Sequence, residues 1–478
     1  MSTVTEATKP QRIRTGALAD LSTRLQRAGR ESHSGNGWLS ALSVVAMTVS
    51  TWLALVVVGG TAMFYRRWQA EPKLPPNPTP EDYMNQGQGE MYLQLALVAC
   101  VFVIPAMVSL VAQSAVLGAA GREQRLATLR LIGLSNGAVT RMVIIETLVL
   151  AAVGLVVGTL LSVATAPFWA IIKFDNDYLD TWDMLLPWWG YPLVWVAVVL
   201  LALFAAVVGL RRVMISPLGV SRKEVPKSMK AWRMIVAVVI GAIVLYVIAN
   251  SNIAGGTVTA TLGVAAMMYL MVWAIGLVAP FFIQLVARIS SFFGTSSDFV
   301  ATRRVATNAK ESWRRVSSMA FLSLLLGYTM MVPGEDKIEE VADVTFAHDI
   351  ATGVTITFVI GFILLLVSTL LTQASAVYEE ASLTKALDFI GTPISFHRTV
   401  TFKQTFFPML ATSIFGFVMG ALLGATMFGP IANEITFGQR SLVVALAYLV
   451  GVVSVGAVTL AVDPLRHKLL GRQIRHND

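Results

Sequence analysis

Charge, cysteine and histidine are all scarce in this chain of 478 residues, and each shortage excludes something. The lone Cys100 rules out a disulfide framework and a CxxC metal pair. Inside a long apolar span it reads as a small packing residue. His33, His348, His397, His467 and His476 are scattered without metal-ligand spacing. No G-x-x-x-x-G-K-[ST] phosphate loop occurs, so the chain cannot cradle ATP by that route. Neither a catalytic constellation nor a metal site is expected, and no cofactor is expected on this chain.

Only 13% of residues are charged, whereas a soluble domain carries about 25%. What fills the space is hydrophobic: 55% of the sequence. Charge-free stretches at 32–65, 91–121, 147–172, 184–210, 234–287, 316–334, 350–378, 404–433 and 441–462 reach, or nearly reach, the roughly 20 residues that cross a bilayer. The stretch 234–287 is too long for one helix, and Asn250-Ser251-Asn252 with Gly255-Gly256 supplies a turn that splits it. The expected fold is an all-α polytopic membrane protein with ten transmembrane helices.

Basic residues concentrate in the N-terminal arm, in 211–233 and in 288–315. The loops between them hold little Lys or Arg, so both termini and the basic loops are expected in the cytoplasm. That asymmetry accounts for the net charge of +8 without a nucleic-acid partner. A cleavable signal peptide is not expected, because about 37 mostly polar residues precede the first apolar span.

Between the second and third spans lies REQRLATLRLIGLSNG, a segment with no clean division of faces. Arg122, Arg125 and Arg130 are interspersed with Leu126, Leu129, Leu131 and Ile132, whereas a helix lying on lipid shows a sharper split. A juxtamembrane basic helix touching anionic headgroups is one reading; a docking helix for a soluble partner is the other. Gly133 reads as its stop and Ser135-Asn136-Gly137 as a cap for the next helix. Shifting by 258 residues lays this segment on a faint second copy. Leu129 meets Leu387, Ile132 meets Ile390, Gly133 meets Gly391, Thr147 meets Thr405 and Gly158 meets Gly416.

The repeat organises the chain. After a cytoplasmic arm (1–37), a first four-helix unit spans 38–213, with its docking segment at 119–134. A linker with helices 5 and 6 (214–290) and a basic segment (291–315) lead to a second unit at 316–462, with its segment at 377–391. A cytoplasmic tail follows at 463–478. Both units begin on the same side, so the repeats are parallel. The third helix of each carries small-residue spacing suited to close packing: Gly154 and Gly158, then Gly416, Gly420 and Gly424. Glu146, about one turn inside the third span, is an intramembrane ionisable group and hence a functional candidate.

Residues 122–161, including Arg122, Glu123, Gly133, Glu146, Gly154 and Gly158, resemble the core signature of FtsX-like permeases, the membrane subunits of MacB-type (type VII) ABC systems. The ten-helix form resembles bacitracin-export-type permeases. It departs from them between helices 7 and 8, where those proteins carry a large extracellular domain and this chain has 333–349. The resemblance implies two FtsX-like units in a bacterial plasma (inner) membrane, working with a separate ABC ATPase that carries ATP and Mg. An ATPase homodimer per permease chain is the implied arrangement. Arg122, Glu123, Arg125, Arg130 and Gly133 would contact the ATPase from the first coupling helix. Glu379, Glu380, Lys385, Asp388 and Gly391 would do so from the second, where Arg122 falls on Glu380 and Arg130 on Asp388.

The function expected is export or extraction of an amphipathic or lipophilic compound: an antimicrobial peptide, a haem-like molecule or a lipid. The alternative is a signalling permease that passes ATPase cycling to a cell-envelope enzyme or a sensor kinase. Topology places a substrate mouth at the outer leaflet between helices 1 or 2 and 7 or 8, near Tyr65, Arg66, Tyr92, Gln94, His348 and Asp349. The acidic stretch 333–349 can attract cationic ligands; a solvated hairpin is an equally economical reading.

Overall fold

The computed structural model describes residues 36–70, 88–120, 135–174, 177–214, 232–250, 258–291, 296–331, 344–379, 386–387, 389–391, 393–428 and 437–462. These form helices α1 (Asn36–Ala70), α2 (Gln88–Ala120), α3 (Asn136–Trp169) and α4 (Gly190–Met214), with a short hairpin, β1 (Lys173–Phe174) and β2 (Asp177–Tyr178), between α3 and α4. Then come α5 (Trp232–Asn250), α6 (Val258–Ser290), α7 (Ser296–Thr307), α8 (Ala309–Met330), α9 (Val344–Glu379), α10 (Ile394–Phe428) and α11 (Phe437–Ala461).

Among the described residues, eight helices are long and apolar enough to cross a membrane: α1 to α4, α6, α9, α10 and α11. The other two expected spans fall on α5 and α8. In α5 the described apolar stretch is the shorter Ile235–Val244. In α8 the apolar run continues a charged first turn, so the helix begins at Ala309, inside the segment read from sequence as a basic loop. Glu311 and Arg315 pair at 2.5 Å along this helix. A mixed composition suits its position, because 14 of its 22 residues are buried against other helices and not against lipid. Its buried Ser323 hydroxyl donates to Met319 O at 2.9 Å, so that polar atom is satisfied within the helix.

The two four-helix units repeat one packing scheme. The first helix lies against the second and third, and the second against the fourth: α1 on α2 and α3, α2 on α4; then α8 on α9 and α10, α9 on α11. The units meet chiefly through their second helices, α2 and α9, with α1 also against α9. Helices α5 and α6 pair with each other, and α6 fills the side formed by α2, α8 and α10. Helix α7 lies across α6 and α10, where Lys403 Nζ reaches Asp298 Oδ1 at 2.6 Å and donates to Ser297 Oγ at 3.0 Å.

The outward faces are apolar, as lipid contact demands. On α4, Leu193, Val196, Leu200 and Phe204 recur at helical spacing and are all exposed. Trp182, Trp188 and Trp189 are exposed together at the end of the bundle beside the hairpin, a composition typical of the bilayer interface. Since lipid tails are as apolar as Leu, helix association rests on close packing. The glycines provide it. A Cβ on Gly158 would sit 2.7 Å from Thr48 O, and one on Gly420 would collide with Leu324 O.

Candidate functional site

At the end of the bundle where α1 ends and α2 begins, the two units do not close completely. A cavity of about 170 Å³ lies there, walled by the end of α1, the start of α2, the α3–α4 loop, the end of α8 and the start of α9. Its aromatic wall consists of Phe64, Tyr92, Trp169, Phe174 and Tyr328. Phe64 stacks on Tyr92 with ring centres 5.9 Å apart, and Phe174 meets Phe64 edge-on at 5.4 Å.

Two polar side chains join the units here. The Tyr92 hydroxyl, on α2, donates to Asp349 Oδ2, on α9, at 2.5 Å. Both residues are buried, with 6% and 3% of their surface exposed. Asp349 is the sole carboxylate among the described lining residues, and no Lys, Arg or His is among them. Cys100 also lines the cavity, with its sulfur 3.3 Å from Thr61 Oγ1.

The α3–α4 loop forms the lid. Its strands pair Lys173 with Tyr178 and Phe174 with Asp177, and Leu179 N donates to Ile172 O at 3.0 Å. The alternation turns Phe174 and Leu179 inward and leaves Tyr178 outside under the Lys173 ammonium, 4.5 Å from the ring centre. Gly59 on α1 admits the Met184 backbone, since a Cβ there would collide with Met184 O. Arg66 Nη2 donates to Asp183 O at 2.6 Å, and Arg67 Nη2 reaches Asp183 Oδ2 at 3.3 Å. A search for apolar runs passes over this lid. Its signal in the sequence is the alternating KFDNDY, a two-strand pattern around Asp175-Asn176 in a connection bounded by long helices.

Of the six residues expected at a mouth, the structure brings Tyr92 and Asp349 into contact across 257 positions of sequence. Tyr65 is exposed and accepts from Gln69 Nε2 at 2.7 Å. Arg66 turns to the lid. Gln94 is half-buried and outside the lining, and His348 stands in α9 next to Asp349.

Arg122, Glu123, Arg125, Arg130, Gly133, Glu380, Lys385 and Asp388 lie outside the described residues. Glu379 is the last residue of α9. Gly391 adopts φ +83°, the left-handed conformation that favours glycine after a helical turn. Ser135 caps α3: its side chain accepts from Ala138 N at 3.3 Å. Glu146 is buried, with 1% exposure, and its counterpart Gln404 is buried too. Gln404 Oε1 has no hydrogen-bond partner among the described residues.

Two packed helical repeats with apolar outer faces define a multi-pass membrane protein. The family model FtsX-like permease C-terminal matches residues 97–218, from α2 to just beyond α4, so this part of the chain is similar to FtsX-like permeases. Members of that family are transport membrane subunits that work with an ABC ATPase. No curated protein and no solved structure matches the chain.

Proposed function

We propose that the chain is the ten-span permease subunit of an ABC transporter that uses a separate ATPase to extract an amphipathic or lipophilic compound from the membrane. The observation that carries this is the apolar cavity at the junction of the two repeats, bridged by Tyr92 and Asp349. A site between two bodies that rock against each other changes shape as they move, which is how alternating access works. With both termini in the cytoplasm, the cavity faces the outer leaflet. The coupling segments 119–134 and 377–391 then face the ATPase, one ATPase dimer serving the two unlike segments of one chain.

Size narrows the substrate. A cavity of about 170 Å³ is close to one that holds a single benzene ring, about 150 Å³. It fits one ring or a short acyl segment of a larger molecule whose remainder stays in lipid. A lipid or an antimicrobial peptide offers such a group more readily than a rigid haem-like macrocycle.

Co-purification with an ABC ATPase, followed by ATP hydrolysis in lipid nanodiscs, tests the reading. Replacing Arg122 and Glu123 with Ala is expected to abolish ligand-stimulated hydrolysis while membrane insertion is unchanged. Gly353→Leu fills the cavity without a backbone collision, because a Cβ at Gly353 meets nothing within 4 Å. It is expected to cut stimulation by lipophilic ligands at least fivefold. A permease that never brings down an ATPase would sink the proposal. ATPase cycling indifferent to every lipophilic ligand and to Gly353→Leu would favour the signalling alternative.

A further inference from the structure

The cavity is built unlike a general-purpose apolar pocket. Beside aliphatic residues its wall carries five aromatic ones, Phe64, Tyr92, Trp169, Phe174 and Tyr328. Into that wall is set one carboxylate, Asp349, 3% exposed and held in place by the Tyr92 hydroxyl at 2.5 Å. Aromatic faces attract organic cations within about 6 Å of the ring centre, most strongly when water is excluded. No Lys, Arg or His among the described lining residues competes for those faces. The two arginines nearest in sequence to the wall, Arg66 and Arg67, are turned to Asp183 in the lid. A carboxylate in low-dielectric surroundings adds its own attraction for a positive charge. Aromatic rings and one buried carboxylate set into an otherwise aliphatic wall are complementary to a single positive charge carried on an apolar body.

We infer that this cavity selects a lipophilic organic monocation, a quaternary ammonium or protonated amine attached to a ring or chain, with Asp349 as its counter-ion. A neutral lipid segment would fill the same volume without using the carboxylate, and an anion would be repelled by it. The inference deepens the transporter reading but is tested on the permease alone, so that the two fail separately.

The chain's lone cysteine supplies the reporter, because Cys100 lines the cavity. The purified full-length permease in nanodiscs is treated with N-ethylmaleimide, with benzyltrimethylammonium or its neutral isostere neopentylbenzene present at matched membrane concentration. The cation is expected to protect Cys100 at a concentration at least tenfold lower than the neutral compound. Asp349→Asn is expected to erase that difference, Asp349→Glu to restore it in part, and Tyr92→Phe, which leaves the carboxylate in place, to keep most of it. Calorimetric titration with the same two probes gives the same comparison should Cys100 react slowly. Should Asp349→Asn fail to fold, the cation-to-neutral ratio in the unaltered protein still decides. Equal protection by both probes, protection by neither, or a cation preference that survives Asp349→Asn overturns the inference. Co-purification with the ATPase would stand in each of those cases.

Discussion

The seam between α8 and α10 is made largely of backbone against backbone, while the matching seam between α1 and α3 keeps side chains in the joint. In the second unit glycines come from both helices. A Cβ on Gly416 or Gly420 would collide with the carbonyls of Ala320 or Leu324, and one on Gly327 would collide with Phe417 O. In the first unit they come from α3 alone: Gly154 faces the Met47 Cβ at 2.5 Å, and Gly158 faces both Thr48 O and the Thr51 Cβ at 2.8 Å. The glycines of α1, Gly59 and Gly60, serve the lid instead, against Met184. One packing scheme is thus built with a closer approach in the second unit than in the first, and the first unit supplies the lid, Tyr92 and most of the aromatic wall.

The largest expected effect lies in that contrast. Gly420→Ala places a methyl group on backbone that cannot give way, so its cost should reach or exceed the upper end of the roughly 1–3 kcal/mol typical of overpacking. A Cβ on Gly154 would sit 2.5 Å from the Met47 Cβ, which moves only with its backbone, and 3.1 Å from Met47 C, so Gly154→Ala should cost about 2 kcal/mol, less than the closer approach at Gly420. Thermal unfolding of both variants in one detergent gives the comparison. Equal losses would mean that the closer approach in the second seam carries no extra cost.

The glycine spacing that makes these seams is readable in sequence, because small residues every fourth position on an apolar helix have few other uses. The Ser135 cap is readable for a related reason: a local bond leaves a local signal. What stays hidden depends on partners far along the chain. Topology puts Tyr92 and Asp349 at one mouth, yet nothing near Asp349 announces the direct bond to Tyr92, 257 residues away. The α7 helix is hidden differently. Arg303 and Arg304 make 291–315 look like a topological loop, yet Ala301, Thr302 and Val305 form a short buried stripe. The low apolarity of α8 conceals its centrality, since hydropathy measures fitness for lipid and this helix sees mostly protein.

A second, smaller difference concerns hydrogen bonding between helices. Thr405 on α10 accepts from Gln373 Nε2 on α9 at 3.1 Å. At the matching positions, 258 residues earlier, stand Thr147 and Ala115. There the Thr147 hydroxyl turns back to Val143 O of its own helix at 2.8 Å. Gln373→Ala removes an interhelical bond at a buried site and should cost about 1 kcal/mol, as should Thr405→Val. Thr147→Val should cost less than half as much, because no second helix loses a partner. The same unfolding assay ranks the three, and a Thr147→Val loss as large as that of Thr405→Val would remove this distinction between the units.

The smallest effect lies where the third helix of each unit starts. Ser135 stands at the cap of α3, and the residue 258 positions later is Pro393, immediately before α10. Serine works there by accepting a hydrogen bond, here a long one of 3.3 Å from Ala138 N on a surface-exposed turn. Ser135→Ala should therefore cost only about 0.5 kcal/mol, the low end for a lost cap. Proline works by a different means, fixing φ near −65° before the helix begins. The Ser135 φ of −69° already satisfies that restriction. Ser135→Pro should then be close to neutral, since the stiffer unfolded chain offsets the lost hydroxyl. A Ser135→Pro loss well above that of Ser135→Ala would mean that position 135 needs its backbone N–H, or that the chain before it does not accept the extended backbone that a following proline requires. In that event the two entry turns would differ in backbone path as well as in side chain, and the divergence between the units would begin at the coupling segments themselves.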